Sequence, residues 1–134
     1  MQRYRTLWSR KEKAYKWLYE FTFGACGHCV SSGCACKDRI CQHVAEQAEK
    51  KGIRFERTKH PIRFIGATGC VVPPHLRETC TTYLCDKAQD GKSFDRDRYR
   101  RLKELCHRLD WKLIELEESA NLNLLEVHSQ FQLK

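Results

Sequence analysis

The sequence contains no run of about eighteen uncharged apolar residues, the length that an α-helix needs to cross a bilayer. The stretch from Met1 to Lys13 also lacks the continuous apolar core and the small-residue cleavage site of a secretory signal. We therefore expect a protein with no membrane span that stays in the cytoplasm, where thiols are kept reduced.

Motifs that mark common catalytic sites are absent as well. The sequence has no glycine-rich phosphate-binding loop, no dinucleotide-binding fingerprint and no evident pairing of a cysteine nucleophile with a histidine base. An enzyme is therefore kept only as an alternative, in which a thiol beside His28, or a cluster, acts in redox or methyl-transfer chemistry.

Cysteine, in contrast, is abundant, with nine in 134 residues. In a chain whose thiols stay reduced, this density indicates thiolate–metal bonds rather than disulfides. Eight of the nine fall between Cys26 and Cys41 or between Cys70 and Cys85. We expect both stretches to contain irregular loops that a shared metal centre orders. The remaining Cys106 lies on the apolar face of a predicted helix and is interpreted as a small buried hydrophobe.

Cys26 and Cys29 form a C-x2-C pair, a spacing that lets two thiolates in a tight turn reach one ion. We expect ligands from the second stretch to complete the site, because a centre built from two distant loops closes the fold around itself. The spacing does not distinguish one four-thiolate site from two zinc sites or from an iron–sulfur cluster with additional thiols. Zn²⁺ is our first expectation and a 4Fe-4S iron–sulfur cluster the alternative. The candidate ligands are Cys26, Cys29, Cys34, Cys36, Cys70, Cys80 and Cys85, and further candidates are Cys41, His28 and His75.

The formal net charge of +8 and the pI near 9.1 favour an acidic partner, either nucleic acid or an acidic protein. Apolar residues at three- and four-residue intervals predict two basic amphipathic helices, over 1–22 and over 92–119, the second capped by Ser93. The basic side chains expected to contact the partner are Arg96, Arg98, Arg100, Arg101, Lys103, Lys11 and Lys13. The alternative interpretation of the arginine run is a solvated helix face paired with Asp95 and Asp97.

The remaining segments predict few further elements. A helix capped by Asp38 is expected to end near Gly52. One or two short strands are expected between Ile53 and Phe64, where apolar residues partly alternate. The tail 120–134 is too apolar for a solvated terminus, so we expect it to pack on the domain, on a partner or on a second copy.

Three features stand together between 23 and 85: the run Phe23-Gly-Ala-Cys26-Gly-His-Cys29, a helix that ends near Gly52, and the run Gly69-Cys70-Val-Val-Pro-Pro-His-Leu-Arg77-Glu-Thr-Cys80-Thr-Thr-Tyr-Leu-Cys85. They resemble the YkgJ-like cysteine-cluster proteins, the CxxCxxCC family regarded as zinc- or iron-chelating. In that family a CG-x-CC element precedes a helix, and a second element carries a cysteine, an Arg-Pro step and two closing cysteines. In this chain Val30 stands where the doubled cysteine would be, and Glu78 replaces the proline after Arg77. The resemblance implies a chelated metal centre, and it does not imply a particular activity.

We therefore expect one small domain, 1–134, that is mainly α with irregular metal-binding loops and little β, and whose cysteine-cluster core covers 23–86. Its expected function is to bind zinc or an iron–sulfur cluster as a mainly structural centre inside the cell, while the basic helices dock on a macromolecular partner. A nucleic-acid-binding zinc module is the first alternative, with the basic helices on phosphates. The redox or modifying enzyme is the second alternative.

Overall fold

A computed structural model describes residues 2–26, 38–66, 69–84, 89 and 94–132, with the backbone alone for 24–26, 69 and 132. These residues form five α-helices, which are α1 (Gln2–Cys26), α2 (Asp38–Glu49), α3 (Glu78–Thr81), α4 (Arg96–Ser119) and α5 (Leu124–Gln132). A two-stranded antiparallel hairpin, β1 (Ile65–Gly66) and β2 (Gly69–Cys70), and a 3-10 turn, Pro74–Leu76, lie between α2 and α3. The prediction of a small, mainly helical domain with little strand is confirmed. None of the described helices is long and apolar enough to cross a membrane.

Helices α1 and α4 lie antiparallel and form the main core. Phe21 near the end of α1 stacks on Tyr99 near the start of α4, with ring centroids 6.2 Å apart. At the opposite end, the hydroxyl of Tyr4 donates a hydrogen bond to Glu117 at 2.6 Å. Each helix carries apolar residues at three- and four-residue spacing, so each buries one stripe against the other. The buried members of this core are Tyr4, Leu7, Trp8, Ala14, Tyr15, Leu18, Leu84, Tyr99, Cys106, Leu109, Leu113 and Val127.

The start of α4 is fixed by a side-chain cap. The carboxylate of Asp95 accepts a hydrogen bond from the backbone N–H of Arg98 at 3.0 Å, which satisfies one of the open donors of the first turn. The cap is therefore Asp95 rather than the expected Ser93, which lies outside the described residues. The helix itself ends at Ser119, as its apolar periodicity predicts.

The tail after α4 turns back onto the core as α5. Asn121 adopts a φ of 49°, a left-handed conformation that asparagine tolerates better than most residues. Asn123 then caps α5, because its Oδ1 accepts a hydrogen bond from the backbone N–H of Glu126 at 3.3 Å. Val127 and His128 are buried against α1 and α4. The tail thus packs on the domain, one of the outcomes that its composition predicts.

Helix α2 has nearly the predicted bounds. Gly52, with a φ of 76°, follows its last turn, and the N–H of Ile53 donates to the carbonyl of Ala48 at 3.0 Å, which closes the helix end. The carboxylate of Asp38, expected to act as a cap, binds Arg63 instead. It accepts hydrogen bonds from the backbone N and Nε of Arg63 at 3.0 Å each and from Nη2 at 2.8 Å. This contact ties the first turn of α2 to the chain before the hairpin.

A second, smaller apolar cluster joins α2 to the hairpin region, and its buried members are Cys41, Val44, Phe64 and Val72. The segment 53–64, in which we expected one or two strands, contains none; the only described pairing is 65–66 with 69–70. Hydrogen bonds of Thr58 explain why this segment forms no strand. Its hydroxyl donates to the carbonyl of Ile65 at 2.6 Å and its N–H to the carbonyl of Arg63 at 2.7 Å, so local bonds replace strand pairing.

Candidate functional site

The structure describes some of the predicted metal ligands, and the others lie outside the described residues. Cys29, Cys34, Cys36, Cys85 and His28 lie outside the described residues. Cys26 ends α1, Cys41 lies in α2, Cys70 ends β2, His75 lies in the 3-10 turn and Cys80 lies in α3. Within the described ranges, no three His, Cys, Asp or Glu side chains come together in a group that could hold a metal ion. A centre with three or more ligands would therefore need Cys26, whose side chain is not described, or donors from outside those ranges.

The position of Cys26 differs from the expected irregular loop. Helix α1 continues past Gly24 to Cys26, four residues beyond the predicted end at 22. The sequence from Gln2 to Phe23 contains neither glycine nor proline. A single glycine near the end of so long a helix costs only about 1 kcal/mol relative to alanine, which is too little to stop it. Cys26 is therefore placed by a helix end, at the border of the undescribed segment 27–37.

The segment that carries Cys70 and Cys80 is also less irregular than expected. Arg77 is buried, its Nε donates to the carbonyl of Val72 at 2.7 Å, and its guanidinium lies over the ring of Tyr19, 4.9 Å from the centroid. These contacts fix the segment to α1. The expectation of an irregular loop is therefore wrong for 69–84, where the protein's own groups provide the order.

Cys41 and Cys70 come from different predicted stretches yet pack in the same apolar cluster. Cys41 is buried in it, and Cys70 is half-buried against it. The cluster includes Phe64, the neighbour of Arg63, which holds Asp38 at the start of α2. The fold thus brings one cysteine of each stretch into the same apolar cluster.

His75 packs edge-on against Trp8 of α1, with ring centroids 5.7 Å apart. Burial lowers the pKa of His75, an effect opposed by Glu12 and reinforced by the charge of Lys11. The imidazole is therefore held in its neutral form, which is the form that binds a metal ion.

Cys106 has the surroundings that its position on α4 predicts. It is fully buried in the main core, and burial raises its pKa to about 12, with the charge of Asp110 adding to the effect. A thiol with so high a pKa is neither a good nucleophile nor a good metal ligand. The interpretation of Cys106 as a packing residue is confirmed by its burial.

Lys11, a predicted partner contact, is buried rather than exposed. Its Nζ lies 2.9 Å from Glu78 Oε1 and 3.1 Å from Asp110 Oδ1, and its side chain is 7% exposed. Burial alone would lower the pKa of Lys11, but the two carboxylates reverse this effect and raise it. We therefore correct the prediction: the ammonium of Lys11 joins α1 to α3 and α4 and does not reach a partner. Lys13 is exposed.

A second buried polar group joins α5 to the helix pair. The hydroxyl of Tyr4 donates to Glu117 and lies 3.0 Å from Nε2 of His128. Because the hydroxyl proton points to Glu117, we assign the ring proton of His128 to Nε2, which then donates to the hydroxyl oxygen. Burial, aided by nearby lysine charges, lowers the pKa of His128 to about 4. His128 is therefore neutral at pH 7.

The predicted partner contacts on α4 do not share one face. Arg100 is paired with Asp97 at 3.6 Å, as the alternative interpretation of a solvated face supposes. The Nζ of Lys103 lies 4.5 Å from the ring centroid of Tyr99, and Arg96 donates to a backbone carbonyl at 3.2 Å. All three cations thus have contacts within the chain.

Arg98 and Arg101 are exposed on another side of α4. The guanidinium of Arg98 lies over Phe21, 5.7 Å from its ring centroid, so this side borders α1. Arg108 and Lys112 follow at helical spacing and therefore lie in the same row. We call Arg98, Arg101, Arg108 and Lys112 the basic seam. All four are exposed, and none forms a salt bridge with a carboxylate of the described residues.

The sequence prediction missed three residues on this side of the molecule. Arg108 and Lys112 continue the row that Arg98 and Arg101 begin, and their helical spacing was the signal that could have identified them. No sequence pattern marks Trp17 of α1 as exposed, because this residue lies between the buried residues of an aromatic-rich helix. It is 52% exposed and lines a groove with Arg98.

Comparison of the chain with protein-family models, with curated proteins and with solved structures found no match. The resemblance to the YkgJ-like cysteine-cluster proteins stays a prediction from motifs. The functional interpretation therefore rests on this chain's own residues.

Proposed function

We propose that this chain is a small cytoplasmic metal-binding protein whose cysteine centre, Zn²⁺ or an iron–sulfur cluster, is mainly structural, and whose basic helices dock on an acidic macromolecule. The observation that carries the proposal is that Cys41 and Cys70 belong to the same apolar cluster. They come from distant stretches of the chain, and Cys41 lies in the first turn of α2, shortly after the segment in which the sequence concentrates further cysteines. The density of cysteines supports the same conclusion.

The proposed ligands come from both stretches. They are Cys26, Cys29, Cys34, Cys36, Cys70, Cys80 and Cys85, with Cys41, His28 and His75 as further candidates. Thiolates and neutral imidazole are the donors that zinc prefers, and thiolates hold iron–sulfur clusters, so the donor set fits either group. Because the described donors form no group of three, we expect Cys26, whose side chain is not described, or residues of 27–37 or 85 to supply the remaining ligands.

A structural role for the centre agrees with the uneven distribution of buried residues. Among the residues that the structure describes, the apolar cluster around α2 has four buried members, whereas the α1–α4 core has twelve. The smaller cluster contributes less free energy, and a metal centre would add binding free energy to folding free energy there. The bound group would supply cross-linking of the two stretches, and no catalytic step is assigned to it.

The test is the metal content of the full chain purified without oxygen, measured by elemental analysis together with the visible absorption spectrum. We expect a fixed, near-integral ratio of zinc or iron to protein. The Cys26→Ser/Cys29→Ser variant should lose the metal, while Cys106→Ser, whose thiol is buried in the other core, should keep it. Protein that contains no metal, or a double variant that retains the full metal content, would contradict the proposal.

A further inference from the structure

The basic seam is a row of four exposed cations, none of which forms a salt bridge with a carboxylate of the described residues. Arg98 and Lys112 are fourteen positions apart on α4, which corresponds to about 21 Å along a helix axis. At roughly 3.4 Å per phosphate in a stacked strand, this length faces about six phosphates. Four cations in line that have no carboxylate partner among the described residues, on a chain of net charge +8, match an extended polyanion better than a single small anion.

An aromatic platform stands beside the seam. Trp17 is 52% exposed and lines a groove of about 350 Å³ together with Glu20, Phe21 and Arg98. An indole that is half exposed at the end of a row of cations can stack with a flat base, and a guanidinium beside it strengthens the contact. Glu20 at the same groove repels phosphate, so this end of the site favours a base over the backbone.

We propose that the basic seam binds single-stranded nucleic acid, with phosphates along Arg98, Arg101, Arg108 and Lys112 and a base stacked on Trp17. The proposal rests on the docking part of the proposed function and names the partner. A duplex keeps its bases stacked on one another and offers no base face to Trp17. An acidic peptide would pair with the cations but would not need the indole.

The experiment measures binding of the full chain to a fluorescent oligothymidylate of about twelve nucleotides by anisotropy over a range of salt concentrations. The seam variant is Arg98→Gln/Arg101→Gln/Arg108→Gln. Its matched control, Arg96→Gln/Arg100→Gln/Lys103→Gln, removes the same charge from other faces of the same helix. We expect the seam variant to flatten the slope of log affinity against log salt by about two, for three lost phosphate contacts. The control should change the slope by much less.

Stacking is tested separately by a pair of aromatic variants. Trp17→Ala should weaken strand binding by about fivefold or more, because base–aromatic stacking has that effect in single-strand-binding proteins. Phe23→Ala is the control, since Phe23 is 60% exposed and contacts Tyr19, on another side of α1 from Trp17. Circular dichroism and urea unfolding of each variant show that the fold is retained.

Four results would overturn the proposal. They are absence of binding at low salt, equal losses in the two triple variants, equal losses in the two aromatic variants, and competition by duplex or polyglutamate as strong as by the single strand. Metal content is measured on the same preparations. Metal-free protein that binds the strand would contradict the proposed centre alone, and metal-loaded protein that does not bind would contradict the seam alone.

Discussion

The α1–α4 core and the cluster around α2 are stabilised by different means. The α1–α4 core combines twelve buried residues with a buried lysine held by two carboxylates and a tyrosine–histidine contact to α5. Among the described residues, the α2 cluster has four buried members, and Asp38–Arg63 is a partly exposed ion pair at its edge. In the part of the chain that the structure describes, the α1–α4 core therefore has the larger apolar packing, and the α2 cluster is the region in which a bound metal would contribute most.

The largest expected effect tests how far the α1–α4 core depends on its buried charges. Lys11→Met removes the cation from Glu78 and Asp110, so we expect the free energy of unfolding to fall by about 3 kcal/mol. Urea unfolding measures it. The control Lys13→Met changes an exposed lysine and should stay within about 0.5 kcal/mol. Equal losses in both variants would show that the buried ion pair does not stabilise the core.

The contact between α5 and the core should make stability depend on pH. The pKa of His128 is about 4 in the folded protein, against an ordinary value of 6.5. The unfolded chain therefore binds this proton first as the pH falls. The contribution of His128 to the free energy of unfolding is fully present above pH 6.5. It decreases as the pH falls towards 4, by at most roughly 3 kcal/mol.

The measurement is urea unfolding at several pH values for the wild type and for His128→Asn. The difference between the two isolates His128, because His75, whose pKa is also lowered, is present in both. We expect the pH dependence to be weaker in the variant. The same dependence in both proteins would contradict the assignment.

Cys106→Ser separates packing from ligation. The variant buries a hydroxyl in an apolar site, so the free energy of unfolding should fall by about 1 to 3 kcal/mol while the metal content stays unchanged. Native wild-type protein should also resist alkylation at Cys106, because burial raises the pKa of this thiol to about 12. Loss of metal in Cys106→Ser would contradict the division of the molecule into two regions.

The smallest effect is expected at the edge of the α2 cluster. Hydrogen bonds from Arg63 hold the pKa of Asp38 well below its usual range, so the contribution of this carboxylate is present above pH 3.8 and is lost below it. Asp38→Asn should therefore speed amide exchange of Arg63 and of α2 with little change in global stability. Asp97→Asn on α4 is the control, and faster exchange of α2 in both variants would contradict the local role.

The sequence predicts correctly those features of the fold that depend on one helix alone. The apolar stripe of α4 predicts the end of this helix at Ser119 and the burial of Cys106, and Gly52 predicts the end of α2. The sequence does not predict contacts between side chains that are distant along the chain. Lys11 looks like any basic residue of an amphipathic helix until Glu78 and Asp110 are brought to it. The set of metal ligands is hard to predict for the same reason, because it depends on how two stretches that are distant in sequence meet in the fold.

The most direct test of the central claim is hydrogen–deuterium exchange, followed by mass spectrometry, of the anaerobically purified protein before and after removal of metal with a chelator. We expect peptides from 38–66 to lose protection when the metal is removed, while peptides from 2–23 and 96–119 keep theirs. Unchanged exchange in every peptide, or an equal loss of protection in α1 and α4, would contradict the claim that a cysteine centre stabilises the region around α2 rather than the α1–α4 core.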